Sequence, residues 1–483
     1  MNTTSDGSEA GYYLLNTLDQ IQIAGAGMTE CVTQYFRCST HHVRLFLKDP
    51  VTVTGGYGGD AGNGSGGLSR SQLDVLENAF RETVIEDGCA VLPFDVSRIV
   101  DSLRHEQYEE ALPEKSAIRS ATNWAYYALR PLLPVAVRRH LQHLYLSRWH
   151  RRSFPRWPVD CTVDHLLGQA LLQSMKAAGV KRVPFIWFWP EGAPSCAIMT
   201  HDVETRAGRD FCGTLMDVDE SFGIKSSFQV VPEKRYEVAD DFLKSITSRG
   251  FELGVQDLNH DGRLYRSRQE FVARAARINS YGHKWGVGGF RAAVLYRKQE
   301  WFDALDFAYD MSVPNVAHLD PQRGGCCTVM PYFVSKLLEL PVTATQDYTL
   351  FHILRDYSID LWKRQIALIM ENNGLISFIV HPDYVMETRE RRIYEGLLAY
   401  LSQLRENAGI WITTPAEVNR WWRQRAEMEI VESRDGLRVT GPGSERARIA
   451  YASDGGGRIA FTLEDVPCLH GGGLQYKTGA PFA

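Results

Sequence analysis

An α/β fold closed into a (β/α) barrel is what this sequence predicts, and three observations predict it. From about residue 194, short apolar runs alternate with helical stretches, and repeated strand–helix units build a parallel sheet. Helical stretches such as EVADDFLKSITSRG (237–250) and IDLWKRQIALIMENNG (359–374) close on glycine, a common helix stop. Seven or eight such units in series close into a barrel, whose functional side chains sit at the C-terminal strand ends. Several of these strand ends carry acids, histidines or arginine.

The strands, in order, are CAIM (196–199), SSFQVV (226–231), FELGVQ (251–256), GVGGFRA (286–292), FAYDMSV (307–313), LLELPVT (337–343), LISFIV (375–380) and GIWIT (409–413). The rest of the 483-residue chain divides around them. Residues 1–67 form a poorly defined extension that ends in the Gly-rich linker GGYGGDAGNGSGG (55–67). Residues 68–193 read as helical, with helices expected in SQLDVLENAFRETVIEDG (71–88) and PFDVSRIVDSLRHEQYEEAL (93–112). The barrel spans 194–424. Residues 425–483 form a small β appendage and tail, with three short strands and GPG and DGGG turns in 436–464.

Net charge of −5 gives no reason to expect nucleic acid as a partner. Residues 116–159 contain Arg119, Arg130, Arg138, Arg139, Arg148, Arg151, Arg152 and Arg156 and no Asp or Glu. Within them PVAVRRHLQHLYLSRWHRR (134–152) reads as a basic amphipathic helix, either packed on the main domain or resting on a membrane surface. No run of 18 apolar residues appears. The N-terminal residues lack a basic-then-apolar secretory pattern, and the nine cysteines form no CxxC pair. The expected compartment is the cytoplasm, with reduced thiols.

The first strand runs into Thr200, His201, Asp202 and Glu204. Residues two apart on a strand share a face, so Asp202 and Glu204 aim into one space, a costly pairing unless a cation or shared proton compensates. Further strand ends add Gln256 and His260, Arg291, Asp310 with Ser312, and His381. A single histidine at a strand end is more often a satisfied structural residue. Recurrence at the same end of successive strands is what points to a site.

Five of these segments, THDVE, QDLNHDG, GFRA, YDMSV and IVHPDY, resemble in order and spacing the motifs of the polysaccharide deacetylases, carbohydrate esterase family 4. The segments FPRWPVD (154–160) and GPGSERARIAY (441–451) resemble flanks found in bacterial members. The resemblance implies a distorted (β/α)7 barrel with an N-terminal helical extension and a C-terminal β appendage. It implies a carbohydrate substrate and a divalent metal, zinc in most members, that activates water against an N-acetyl carbonyl. By resemblance Asp202 is the general base, Glu204 and His260 are metal ligands, Arg291 orients Asp202, Asp310 supports His381, and His381 is the general acid. Gln256 stands where the family carries another histidine ligand and is carried over as a weak third ligand, which weakens the expected metal site. Asp257 or His201 could replace it only by turning against strand alternation. Two functions remain open: an N-deacetylase acting on an amino-sugar glycan or glycan precursor, or a degenerate relative that binds glycan without turnover. Trp301, Tyr332, Tyr348 and Tyr384 are candidates for stacking on sugar rings.

Overall fold

The computed structural model describes residues 26–38, 47–48, 80, 83–86, 89–92, 94–111, 135–434 and 436–464. The linker at 55–67 and the tail from 465 lie outside the described residues. The barrel strands are β1 (Cys196–Val203), β2 (Ser227–Val230), β3 (Glu252–Gln256), β4 (Gly289–Arg291), β5 (Tyr309–Asp310), β6 (Tyr332–Val334), β7 (Leu337–Glu339), β8 (Leu375–Ile379) and β9 (Trp411–Thr413). Each run read from the sequence overlaps one of them, with β1 running on from CAIM to Val203, and the order in the sheet is β6-β7-β5-β4-β3-β2-β1-β8. Every pairing is parallel except β6 with β7.

β1 is the axis of the sheet, and all eight of its residues are buried. It pairs with β8 over Cys196–Thr200 on one side. On the other it pairs with β9 at Cys196–Ile198 and with β2 from Thr200 to Val203. Strand alternation then sorts its side chains. Met199, Val203 and their neighbours pack under the helices, and Thr200 and Asp202 face Arg291 inside the barrel. The ring closes through the irregular stretch 340–344 rather than through a regular ladder. Val342 N donates to Val313 O (2.9 Å), Ala344 N to Ser377 O (3.1 Å), and Thr343 Oγ1 to Leu375 O (2.7 Å). That irregular closure is the distortion of the barrel.

Turns at the strand ends are short and capped. β1 stops at Val203 and the helix Arg206–Ser221 starts three residues later, with Thr205 Oγ1 accepting from Gly208 N (3.0 Å). Such a cap contributes about 1 kcal/mol and leaves Glu204 on a rigid turn. Ser267 caps the helix Arg268–Trp285 in the same way.

Three elements differ from the sequence reading, one of them the strand Arg182–Ile186 within the stretch read as helical. The helix expected over 71–88 gives way to Val84–Glu86 paired antiparallel with Cys89–Val91, while 71–79 lie outside the described residues. The residues between the paired Glu86 and Cys89 are Asp-Gly, a dipeptide that favours tight hairpin turns over helix. β6 was not foreseen, because its turn uses Ser335 at φ +56° and Lys336 rather than glycine. The second expected helix forms as Val96–Arg104 and Gln107–Ala111.

The C-terminal strand Ile449–Asp454 pairs antiparallel with Arg182–Ile186, ahead of the barrel, and with Ile459–Leu463. Buried Arg425 ties this sheet to the barrel helix Pro415–Glu427, donating to the carbonyls of Ile186 (2.7 Å), Trp187 (3.0 Å) and Tyr35 (3.0 Å). Burial pushes its guanidinium down to about 9, with Arg37 adding to the effect.

The N-terminal helices join the barrel through another buried arginine. Arg297 Nε donates to Glu106 Oε2 at 2.6 Å, and Gly325 N reaches Glu106 Oε1 at 2.6 Å. Gly325 sits at φ +139°, and a Cβ there would lie 2.2 Å from Asn315 O, so only glycine fits. Glu106→Ala leaves a buried guanidinium unpaired, and urea unfolding is expected to show a loss of about 3–5 kcal/mol. Adding Arg297→Met should restore most of that loss.

Candidate functional site

The functional side chains meet above the C-terminal ends of β1, β3, β4 and β8. Asp202, nearly fully buried, is locked by Arg291. Arg291 Nη1 donates to Asp202 Oδ1 (2.7 Å) and Thr200 Oγ1 (2.7 Å), and its Nε donates to Met311 O (3.0 Å). Gln256, paired in register with Arg291, sends its amide nitrogen to Asp202 Oδ2 (3.0 Å) and Glu204 Oε1 (3.2 Å). One donor therefore touches both acids, and Asp202 and Glu204 do share one space.

Glu204 Oε1 is the focus of the group. His260 Nε2 lies 2.7 Å from it and His381 Nε2 lies 3.4 Å from it. His260 is delivered by a sharp turn after β3, in which Asp257 and His260 both take positive φ (+50° and +52°). Left-handed backbone at non-glycine residues costs of order 1–3 kcal/mol each and tends to cluster at functional sites. The approach of His260 to Glu204 is out of line with its ring N–H, so both buried ring nitrogens lack a hydrogen bond.

His381 follows β8 and is held twice by Asp347. Asp347 Oδ1 lies 2.7 Å from His381 Nδ1, and Oδ2 accepts from His381 N at 2.7 Å. Burial alone would lower the His381 pKa, but Asp347 and Glu204 outweigh it and hold it well above the usual imidazole value. For Glu204 burial would raise the pKa, and His260 and His381 outweigh it, holding the carboxyl well below the usual range. The buried unit is thus an imidazolium between two carboxylates.

Two sequence expectations need correction. Asp310 does not support His381: it accepts from Ser312 N (2.9 Å) and Ser312 Oγ (2.7 Å) and faces Glu339 across the β5–β7 register. The closing stretch 340–344 separates β5 from β8 and leads into Asp347, which takes the role instead. Gln256 does not present a ligand atom to the acids. Its nitrogen faces both carboxylates, and its oxygen is buried without a partner. Neither alternative ligand turns inward. His201 bonds Asp219 (2.9 Å) on the outer face of β1, and Asp257 caps Leu258 N (2.6 Å).

Of the four aromatics, Tyr384 and Tyr348 flank the site. The Tyr384 ring centroid lies 4.8 Å from that of His381 and 5.6 Å from that of Tyr348. Tyr332 is buried against Gln299, and Trp301 stacks on Tyr265.

Asp202, Glu204 and His381 offer donor atoms within 4.8 Å of one another, a group able to hold a metal ion. A tetrahedral ion with bonds near 2.1 Å spaces neighbouring donors about 3.4 Å apart, which is the His381–Glu204 separation. His260 Nε2, buried without a hydrogen bond, is a further nitrogen 2.7 Å from the same oxygen. The donor chemistry of Glu204 and His260 fits a cation such as zinc, and His381 Nε2 would join them only without the proton that an acid donates.

No family model matches the chain, and no curated protein matches it. Solved structures do. A protein from Mycobacterium smegmatis assigned as a candidate polysaccharide deacetylase is 16% identical, covering 51% of this chain and 96% of its own, with a TM-score of 0.40. A peptidoglycan deacetylase from Bacillus subtilis is 12% identical, covering 49% and 95%, with a TM-score of 0.32. A CE4 family pseudoenzyme from Bacillus anthracis is 13% identical, covering 47% and 65%, with a TM-score of 0.31. The first and third of these carry the name of the family that the five motifs resemble. At such identities and scores the fold assignment rests on the strand order and register of this chain itself.

His381 must carry its proton to act as an acid, and Asp347 helps keep that proton in place. Asp347→Asn is expected to lower the His381 pKa. A pH titration of its ring by NMR should show the midpoint moving down, with a weakened rather than unfolded protein at neutral pH.

Proposed function

We propose that this chain is a metal-dependent hydrolase that removes N-acetyl groups from an amino-sugar glycan or glycan precursor. The observation that carries the reading is the convergence of His260, His381 and Gln256 on one oxygen of Glu204, beside an Asp202 that Arg291 locks in place. Zinc is the proposed ion. When bound, it would polarise the amide carbonyl and make water a competent nucleophile near neutral pH.

The protein's own groups divide the remaining work. Asp202 Oδ1 is occupied by Arg291, which leaves Oδ2, with one hydrogen bond from the Gln256 amide, to accept a proton from the attacking water. His381 holds its Nδ1 proton toward Asp347 and donates from Nε2 to the departing nitrogen. Without that proton the amine is too poor a leaving group for the tetrahedral adduct to collapse productively. Tyr384 and Tyr348 offer ring faces beside His381 on which a sugar could stack. Among the described residues no helix is long and apolar enough to cross a membrane. We place the protein in the cytoplasm, where buried unpaired thiols such as Cys196, Cys212 and Cys326 persist.

A second reading, glycan binding without turnover, is favoured by one observation: the Gln256 nitrogen sits between the carboxylates that would share a cation. Calorimetric zinc titration together with acetate release from acetylated amino-sugar oligomers separates the two. The hydrolase reading expects about one zinc per chain and acetate release that falls by about 10²-fold or more in Asp202→Asn. Absence of zinc binding, with oligomer affinity unchanged in Asp202→Asn, would establish the binding-only reading instead.

A further inference from the structure

The helix Val135–Leu146 lies beside the mouth of the site. Leu146 packs with Leu319 and Ile353, and the hydroxyl of Tyr348 donates to Gln142 Oε1. Tyr348 directly follows Asp347, which holds His381, so one side chain separates the helix from the residue that positions the proposed acid. The outward side of this helix is unusual. Leu141 and Leu144, three residues apart and so on one face, are 39% and 55% exposed. Immediately beyond them Arg148, His150 and Arg151 are exposed as well.

No Asp or Glu occurs anywhere from 116 to 159, whereas eight arginines do. An ordinary solvated helix face mixes both signs. A segment with bare leucines, a fringe of arginines and histidines and no acid of its own, although Glu109 pairs with the neighbouring Arg152 (2.8 Å), matches the requirements of an interfacial helix: apolar side chains for the acyl boundary and cations for the headgroups. Charge complementarity thus selects a negatively charged bilayer surface over a neutral one. The Trp149 ring, packed 4.9 Å from Trp157, fixes the turn that carries the arginines and so gives the patch a defined shape.

We propose that the outer face of residues 141–151 docks the protein on an anionic lipid bilayer, with the barrel mouth beside that surface. The substrate class that follows is an amino-sugar glycan attached to a membrane lipid. That last step rests on the hydrolase reading; the docking itself does not.

The test uses the full chain and vesicles of phosphatidylglycerol with phosphatidylcholine, or of phosphatidylcholine alone, in co-sedimentation. Binding to the anionic vesicles at about 0.1 M salt, and its loss at about 0.5 M salt, is expected from Debye screening. The double variant Arg148→Glu/Arg151→Glu should weaken partition by about 30-fold or more, since each basic residue contributes roughly fivefold. Leu144→Ser, which keeps every charge, should weaken it too and guards against a folding defect in the double variant. No sedimentation with anionic vesicles, equal sedimentation with neutral ones, or parental binding by both folded variants would overturn the proposal. Retention of duplex DNA without vesicle binding would overturn it in favour of nucleic acid. Acetate release from a soluble oligomer is read separately, so failure of docking and failure of the hydrolase reading remain distinguishable.

Discussion

Two carboxylates forced to share one space set the terms for everything around them. Strand alternation in β1 puts Asp202 and Glu204 on the same side, and the site brings their donor oxygens within 4.8 Å. At an effective dielectric of 20, like charges at that separation repel by about 3.5 kcal/mol. The repulsion is met on all sides: Arg291 on Asp202, His260 and His381 on Glu204, and the Gln256 amide between the two acids. The pair so compensated remains a group able to hold a metal ion.

Gln256 is the one departure from a simple cation site, and its chemistry explains its orientation. An amide facing two carboxylates must offer its nitrogen, because its oxygen would add a third negative end to the group. Each hydrogen bond to a charged acceptor contributes about 1.5–3 kcal/mol, so the clamp offsets much of the repulsion that an imidazole and metal would otherwise absorb. Metal binding at this place competes with that clamp, and His381, already 3.4 Å from Glu204 Oε1, supplies the nearest alternative nitrogen. The same nitrogen is the one proposed to donate as the acid, and the Asp347 contact that favours its proton favours that role over ligation.

Much of this was legible in the sequence because it obeys short-range periodicities. Eight apolar runs became barrel strands, and Asp202, Glu204, His260, Arg291 and His381 came together because each lies at the end of one. Asp347 was not legible. It sits on an irregular stretch after the closing segment, in TATQDYTL, where neither an apolar run nor a turn signal marks a strand end. The role given to Asp310 was carried over by resemblance, whereas the distorted closure brings a later segment beside β8. The pairing of Arg182–Ile186 with Ile449–Asp454 was equally hidden, because partners more than 250 residues apart leave no local pattern. The orientation of the Gln256 amide depends on both acids at once and has no counterpart in composition or spacing.

The account turns on whether the space around Glu204 Oε1 holds a cation. Anomalous diffraction at the zinc edge, from crystals of the full chain soaked in zinc, addresses this most directly. A single strong peak within about 2.2 Å of a Glu204 oxygen and of at least one of the His260 and His381 ring nitrogens is the predicted result. A fully soaked crystal with no peak there, or with zinc only at surface histidines, would contradict it.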